Sequence, residues 1–265
     1  MFARGRLEGM HVDLGLRDSV ALVTGASRGI GAAIARAYGN VGCAVAVHYV
    51  SRPESAGAVV GEIEARGGRG KTFHADLTSY DECARLVEDV IEVFGRIDVL
   101  VNNAGDMVQR ELLINYDLED FDQVMRLNVA SVFQMSRLVA RGMIEAGSGS
   151  IINVSSAAVR SGGSPGGVPY ATSKGAVSAM TRGLAKELAP HGVRVNTLAP
   201  GPIETDFHVR HGGQQPLAGV AERIPLGRVG LPEDCVGAAL FLASPVWSSY
   251  ITGQSVEING GTQMP

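Results

Sequence analysis

A tyrosine and a lysine four positions apart, in Tyr170-Ala171-Thr172-Ser173-Lys174, are a pair able to move protons. If the stretch is helical, as the residues up to Met180 suggest, both side chains stand on one face, a turn apart. An ammonium close to a phenol favours the phenolate, so Lys174 is expected to lower a tyrosine pKa that starts near ~10. Such a tyrosine can give or take a proton near neutral pH, as reduction of a carbonyl or oxidation of an alcohol requires. Ser156, fourteen positions earlier, could hydrogen-bond the same substrate oxygen. Taken alone the pair is a weak signal, because the same spacing occurs on surface helices where the ring packs and the ammonium is solvated. The surrounding elements have to decide.

Short apolar runs at 19–24, 44–49, 70–75, 98–101, 149–155, 192–198 and 255–258 read as strands. Between them, 29–40, 54–66, 79–94, 118–145, 168–190 and 232–243 carry helical patterns. Strands separated by helices of this length mean βαβ units, hence a single α/β domain with a Rossmann-type, doubly wound parallel sheet and helices on both faces. The domain is expected over residues 17–265, with 1–16 a flexible extension that has no apolar segment of the secretory kind. Two segments interrupt the rhythm, 161–169 (Ser-Gly-Gly-Ser-Pro-Gly-Gly-Val-Pro) and the long polar stretch 202–225 with Gly212-Gly213. Both follow strands, at the carboxyl ends where open sheets bind ligands, and read as binding loops or a lid.

The composition fits a core-forming protein: of 265 residues, 45% are hydrophobic and 19% charged. A net charge of −4 argues against a nucleic-acid partner, and no apolar run approaches the ~18 residues of a membrane span. Cys43, Cys83 and Cys235 are far apart, without a Cys-x-x-Cys pair, which suits a reducing cytoplasm. The six histidines show no metal-ligand spacing, so no metal site is expected.

Between the first strand and the first helix sits Thr24-Gly25-Ala26-Ser27-Arg28-Gly29-Ile30-Gly31. Glycines there let the backbone turn sharply and approach a pyrophosphate at the helix start. With this turn in place the chain resembles, over about residues 16–261, the short-chain dehydrogenase/reductase family, and is similar in overall pattern to 3-oxoacyl-[acyl-carrier-protein] reductases. The resemblance rests on motifs in family order: the glycine turn, Asp76-Leu77, Asn102-Asn103-Ala104-Gly105, Asn128, the Ser156/Tyr170/Lys174 set and Pro200-Gly201-Pro202-Ile203-Glu204-Thr205.

The resemblance implies hydride transfer between a nicotinamide and a carbon bearing oxygen, with Asn128, Ser156, Tyr170 and Lys174 as catalytic residues. Tyr170 would be the acid/base, Ser156 would bind the same oxygen, and Lys174 would hold ribose hydroxyls and keep the tyrosine acidic. Asn128 would fix a water linking the lysine to solvent. Ser155 reads as a strand-end serine; the spacing from Ser156 to Tyr170 is one residue longer than the commonest family spacing, and Ser156 is the serine expected to face the substrate. Cofactor contacts are expected from Gly25, Ser27, Arg28, Gly29, Ile30, Gly31, Tyr49, Arg52, Asp76, Leu77, Asn103, Ala104, Gly105, Tyr170, Lys174, Pro200, Gly201, Ile203 and Thr205.

Members that use NAD usually place an acid at the end of the second strand. Tyr49 stands there, and Arg28 and Arg52 could pair with a 2′-phosphate, so NADP(H) is favoured over NAD(H). The substrate is expected to be a small carbonyl or alcohol. Carrier-protein reductases often carry arginines where this chain has Gly147 and His191, which weakens the case for an acidic carrier as partner. His208, Arg210 and His211 could meet an anionic tail, and Met107, Val159, Val168 and Phe207 could line the pocket. The alternatives are a sugar or small-alcohol dehydrogenase of the same family, a non-catalytic nucleotide sensor, and an extended-branch epimerase. The resemblance also implies a homotetramer, built through the Asn128 and Tyr170 helices and residues 251–261.

Overall fold

The computed structural model describes residues 13–211 and 217–264. Seven strands, β1 (Val20–Val23), β2 (Ala44–Tyr49), β3 (Arg69–His74), β4 (Val99–Asn102), β5 (Gly149–Val154), β6 (Val193–Pro200) and β7 (Ser255–Ile258), form one sheet. Every pairing is parallel and the order is β3-β2-β1-β4-β5-β6-β7. The chain winds outward from β1 to β3, then restarts at β4 and winds the other way. The carboxyl ends of β1 and β4 therefore flank the crevice where such sheets bind ligands.

The apolar runs become buried strands because both faces are covered by helices. Ala21, Val23, Val45, Val47, Val99 and Val101 face one layer, packed with α1 (Gly29–Asn40), α2 (Pro53–Glu64) and, near the carboxyl terminus, a helix at Val236–Ala243. Their neighbours Val20, Leu22, Ala44, Ala46 and Leu100 face the opposite layer, packed with α3 (Tyr80–Phe94) and two later helices. That alternation is the period of two expected of a strand. Among these elements α3 is well delimited: Ser79 Oγ accepts from Glu82 N at 3.3 Å, and Gly95, at φ +85°, ends it.

The single helix expected over 118–145 is three pieces: α4 (Leu118–Met125), a π-helical turn (Arg126–Ala130) and α5 (Ser131–Ala146). Apolar spacing reads through all three, but the π turn carries one extra residue per turn and contains Asn128, at the sort of irregularity that functional sites favour. Next come α6 (Ala158–Ser161) and α7 (Val168–Leu188), the latter starting with Pro169 in its first turn. The 202–225 stretch, expected to be a loop, holds α8 (Asp206–His211) and α9 (Leu217–Ala221), and the helix at Val236–Ala243 is α10. Gly212-Gly213 and most of the expected amino-terminal extension lie outside the described residues. The described end of that extension is docked: Leu16 is buried in the core, Leu14 packs beside it, and Trp247 Nε1 donates to Asp13 O at 3.0 Å.

Candidate active site

The site assembles in one cleft of about 1050 Å³ along the carboxyl ends of the central strands. At one end β1 runs into the glycine turn. Gly25 and Gly29 hold φ of +61° and +55°, which L side chains avoid. A Cβ on Gly25 would lie 3.0 Å from Ala104 Cα, so the two loops touch through their backbones. Thr24 Oγ1 accepts from Asn103 N and Ala104 N, while Asn103 Nδ2 donates to Thr24 O and Gly25 O. The Asn-Asn-Ala-Gly segment thus clamps the turn. Asn102 Nδ2 donates to Asn153 Oδ1 and Ser136 Oγ inside the sheet.

Of the expected cofactor contacts, Gly25, Ser27, Arg28, Gly29, Ile30, Tyr49, Arg52, Asp76, Leu77, Asn103, Ala104, Gly105, Tyr170, Lys174, Pro200, Gly201, Ile203 and Thr205 line the cleft. Gly31 does not. It is buried behind the turn, where a Cβ would fall 2.5 Å from both Gly25 O and Asn103 Nδ2, so its glycine serves close packing and not contact with a ligand.

At the other end α7 presents Tyr170 and Lys174 one turn apart, with Lys174 Nζ 5.8 Å from the phenol ring centroid. Lys174 is buried and donates to Val154 O at 2.8 Å. Ser156 and Tyr170 share a side-chain hydrogen bond. Ser155 is turned away: its Oγ donates to Lys174 O and meets Ser178 Oγ at 2.8 Å. Ser156, the serine expected to face the substrate, is thus the one beside the tyrosine.

The expected lowering of the Tyr170 pKa is not what the structure holds. Burial pushes the phenol up to about 12; the Ser156 hydrogen bond opposes this and the Asp106 carboxylate adds to it. Burial also brings the Lys174 ammonium down to about 8. Spacing puts the two groups together, but desolvation decides both proton affinities.

Asn128 lies behind the cleft, fully buried. Its Oδ1 accepts from Asp106 N at 2.9 Å, and its Nδ2 donates to Asp106 O and Ser173 Oγ. A Cβ on Gly105 would lie 2.9 Å from Asn128 Oδ1 and 3.0 Å from Lys174 Nζ, so only a glycine lets these groups share the spot. Both amide hydrogens of Asn128 are used, and one acceptor lone pair of Oδ1 remains for a water near the lysine.

α8 crosses the cleft. Its Phe207 ring packs on Tyr170, centroids 5.2 Å apart. Asp106 pairs with Arg210 and, at 2.6 Å, with His211 Nε2. Burial alone would raise the Asp106 carboxyl, but Arg210 and His211 hold it below the usual range. Met107 is buried and lines the cleft as expected; Val159 and Val168 do not, the latter being 52% exposed on the outer side of α7. The side chain of His208 lies outside the described residues.

Sequence reasoning does not single out Arg110, Asp206 and Arg223, which line the cleft, nor two residues that help to build it. His48, inside the apolar run Ala-Val-Ala-Val-His-Tyr, accepts from Gly25 N through Nδ1 at 3.0 Å and donates from Nε2 to Ala75 O at 2.9 Å. Burial lowers its pKa to about 4, which keeps the ring neutral and in the tautomer those bonds require. Its signal was a lone polar residue in a strand otherwise apolar up to its final tyrosine. Asp106, directly after the Asn-Asn-Ala-Gly motif, is the other.

The chain matches the family model described as enoyl-(acyl carrier protein) reductase over residues 25–263. A 3-oxoacyl-[acyl-carrier-protein] reductase from Synechocystis sp. is 42% identical, the match spanning 94% of this chain and 98% of the relative. A 2-dehydro-3-deoxy-D-gluconate 5-dehydrogenase from Dickeya dadantii is 39% identical over 93% and 96%. Among solved structures, an NADH-dependent reductase responsible for alginate metabolism superposes with a TM-score of 0.88 at 33% identity, covering 96% of this chain and all of that one. With the motifs, the sheet order and these relatives in agreement, the chain belongs to the short-chain dehydrogenase/reductase family of oxidoreductases.

Proposed function

We propose that the protein is an NADP(H)-dependent reductase of ketones, 3-oxoacyl thioesters foremost, with Tyr170 as its acid/base. One observation carries this reading: the Tyr170 phenol hydrogen-bonded to Ser156, beside the buried Lys174, at the wall of a ligand-sized cleft. A bound cofactor would supply the hydride. The phenol is held in its protonated form by burial, which is the form that gives a proton to an alkoxide as it develops. Ser156 donates to the same oxygen. Lys174 spends one of its three hydrogens on Val154 O, leaving the others for ribose hydroxyls and for returning a proton to Tyr170. Asn128 fixes Asp106 and, through Gly105, the space beside Lys174.

The residues fit a dinucleotide. The first turn of α1 has no side-chain cap, so its backbone N–H groups are open to a pyrophosphate. Tyr49 ends β2 without a carboxylate, and Arg28 and Arg52 converge on one anionic atom, Asp206 Oδ2, at 2.7 and 3.4 Å. Two guanidiniums aimed at one oxygen support a site for the 2′-phosphate of NADP(H).

A second reading, a dehydrogenase of sugars or small alcohols, draws support from the polar substrate end formed by Asp106, Arg210 and His211. Gly147 and His191, in place of the arginines of carrier-protein reductases, favour a free thioester over a carrier-bound one. The family's tetramer is part of the proposal, supported by exposed Leu113, Ile114 and Leu118 just ahead of the Asn128 turn and Phe133 just after it. No helix among the described residues is long and apolar enough to cross a membrane, and three buried thiols suit the reducing cytoplasm we propose as its location. The test is a substrate panel: NADPH oxidation with acetoacetyl-CoA and small ketones, beside NADP+ reduction with sugar acids and alcohols. Turnover of the thioester well above the rest supports the proposal; turnover confined to sugars or alcohols replaces it with the second reading.

A further inference from the structure

Asp206 is the first residue of α8, and it meets arginines from two separate turns, Arg28 after β1 and Arg52 after β2. Both Nη1 atoms approach the same carboxylate oxygen. Among the described residues neither arginine has another acidic partner. The carboxylate therefore occupies the position an external anion would take between the two guanidiniums. The remainder of α8 is tied to the reacting end of the cleft, through Phe207 on Tyr170 and through Arg210 and His211 on Asp106. A six-residue helix thus bridges the adenosine end and the tyrosine.

We propose that Asp206 is a specificity-determining residue which competes with the cofactor's 2′-phosphate for Arg28 and Arg52, narrowing the preference for NADP(H) over NAD(H). The inference rests on the NADP(H) reading above. A 2′-phosphate brings more charge and three acceptor oxygens, so it displaces the carboxylate, but it must first break two ion pairs. A cofactor with a free 2′-hydroxyl leaves Asp206 in place, and an acid near that hydroxyl is the kind of group that accepts its hydrogen bond. Displacement also frees the first turn of α8, next to Phe207.

Calorimetric binding of adenosine 2′,5′-bisphosphate and of adenosine 5′-monophosphate separates the possibilities, using wild type, Asp206→Asn and the double variant Arg28→Ala/Arg52→Ala. Asp206 is half exposed and Asn keeps its volume, and thermal unfolding confirms that each variant folds. Asp206→Asn should tighten the bisphosphate about fivefold, the size of one exposed ion pair, and change the monophosphate less than about twofold. Amide exchange at 206–211 should rise when the bisphosphate, and not the monophosphate, binds wild type. If the double variant weakens the bisphosphate while Asp206→Asn leaves it unchanged or weakens it, the competition is refuted and the NADP(H) reading stands. If the double variant binds the bisphosphate as wild type does, the NADP(H) reading itself fails, and the competition with it.

Discussion

Protonation of His48 should unfasten the glycine turn, and the size of the effect follows from its burial. The ring is almost wholly enclosed, accepts from Gly25 N and donates to Ala75 O, and its pKa falls to about 4 from an unfolded value of 6.5. The unfolded chain therefore takes up the proton first. Stability from this group is complete above pH 6.5 and is lost as the pH falls toward 4, by about 3 kcal/mol in all at roughly 1.4 kcal/mol for each unit of pKa difference. At pH 5.5 the expected loss is already about 1.4 kcal/mol, because the unfolded imidazole is then mostly charged and the folded one is not. His48→Asn keeps an acceptor near the Nδ1 position and does not titrate. Urea unfolding of both proteins at pH 7.5 and 5.5 isolates the contribution: wild type should lose about 1.4 kcal/mol more than the variant between the two pH values. Equal losses would show that His48 is not held neutral by the fold, and that the Gly25 contact is not what orders the turn.

The other outcomes concern single contacts. Gly31→Ala forces a Cβ against Gly25 O and Asn103 Nδ2, and should cost about 1–3 kcal/mol in denaturant unfolding and weaken cofactor binding. The two serines should separate in kcat: in the proposed mechanism Ser156→Ala removes a donor to the developing oxyanion and lowers kcat about 10²-fold, with a stability cost of about 1 kcal/mol from its lost bonds to Tyr170 and Ala158 N. Ser155→Ala costs about 1 kcal/mol of stability, through its lost bond to Lys174 O, and keeps kcat within about threefold. Gly105→Ala should depress kcat more than stability, because its methyl group would displace the Lys174 ammonium and Asn128 Oδ1.

The fold was legible because period-two and period-3.6 patterns alternate cleanly, and each expected strand appears within a residue or two of its expected bounds. The motifs converge on one cleft because they sit at strand ends, where topology brings distant segments together. What stayed hidden depends on three-dimensional surroundings. The π turn at Arg126–Ala130 leaves the apolar pattern of its flanking helices intact. The direction of the Tyr170 shift follows from burial, which a four-residue spacing does not encode. Arg28 and Arg52 could be named as candidate phosphate ligands, but their shared partner Asp206 lies 178 positions beyond Arg28. Val159 and Val168 lie next to or within the right loop, yet neither lines the cleft.

In the mechanism we propose, the Tyr170 phenol delivers the proton while most of the cofactor's contacts come from other groups. Pre-steady-state reduction of the best substrate by Tyr170→Phe, with NADPH affinity measured on the same preparation, tests it most directly. Hydride transfer should slow by about 10³-fold or more, with the dissociation constant of NADPH within about twofold of wild type. A variant that keeps more than about a tenth of the wild-type rate would contradict the assigned role.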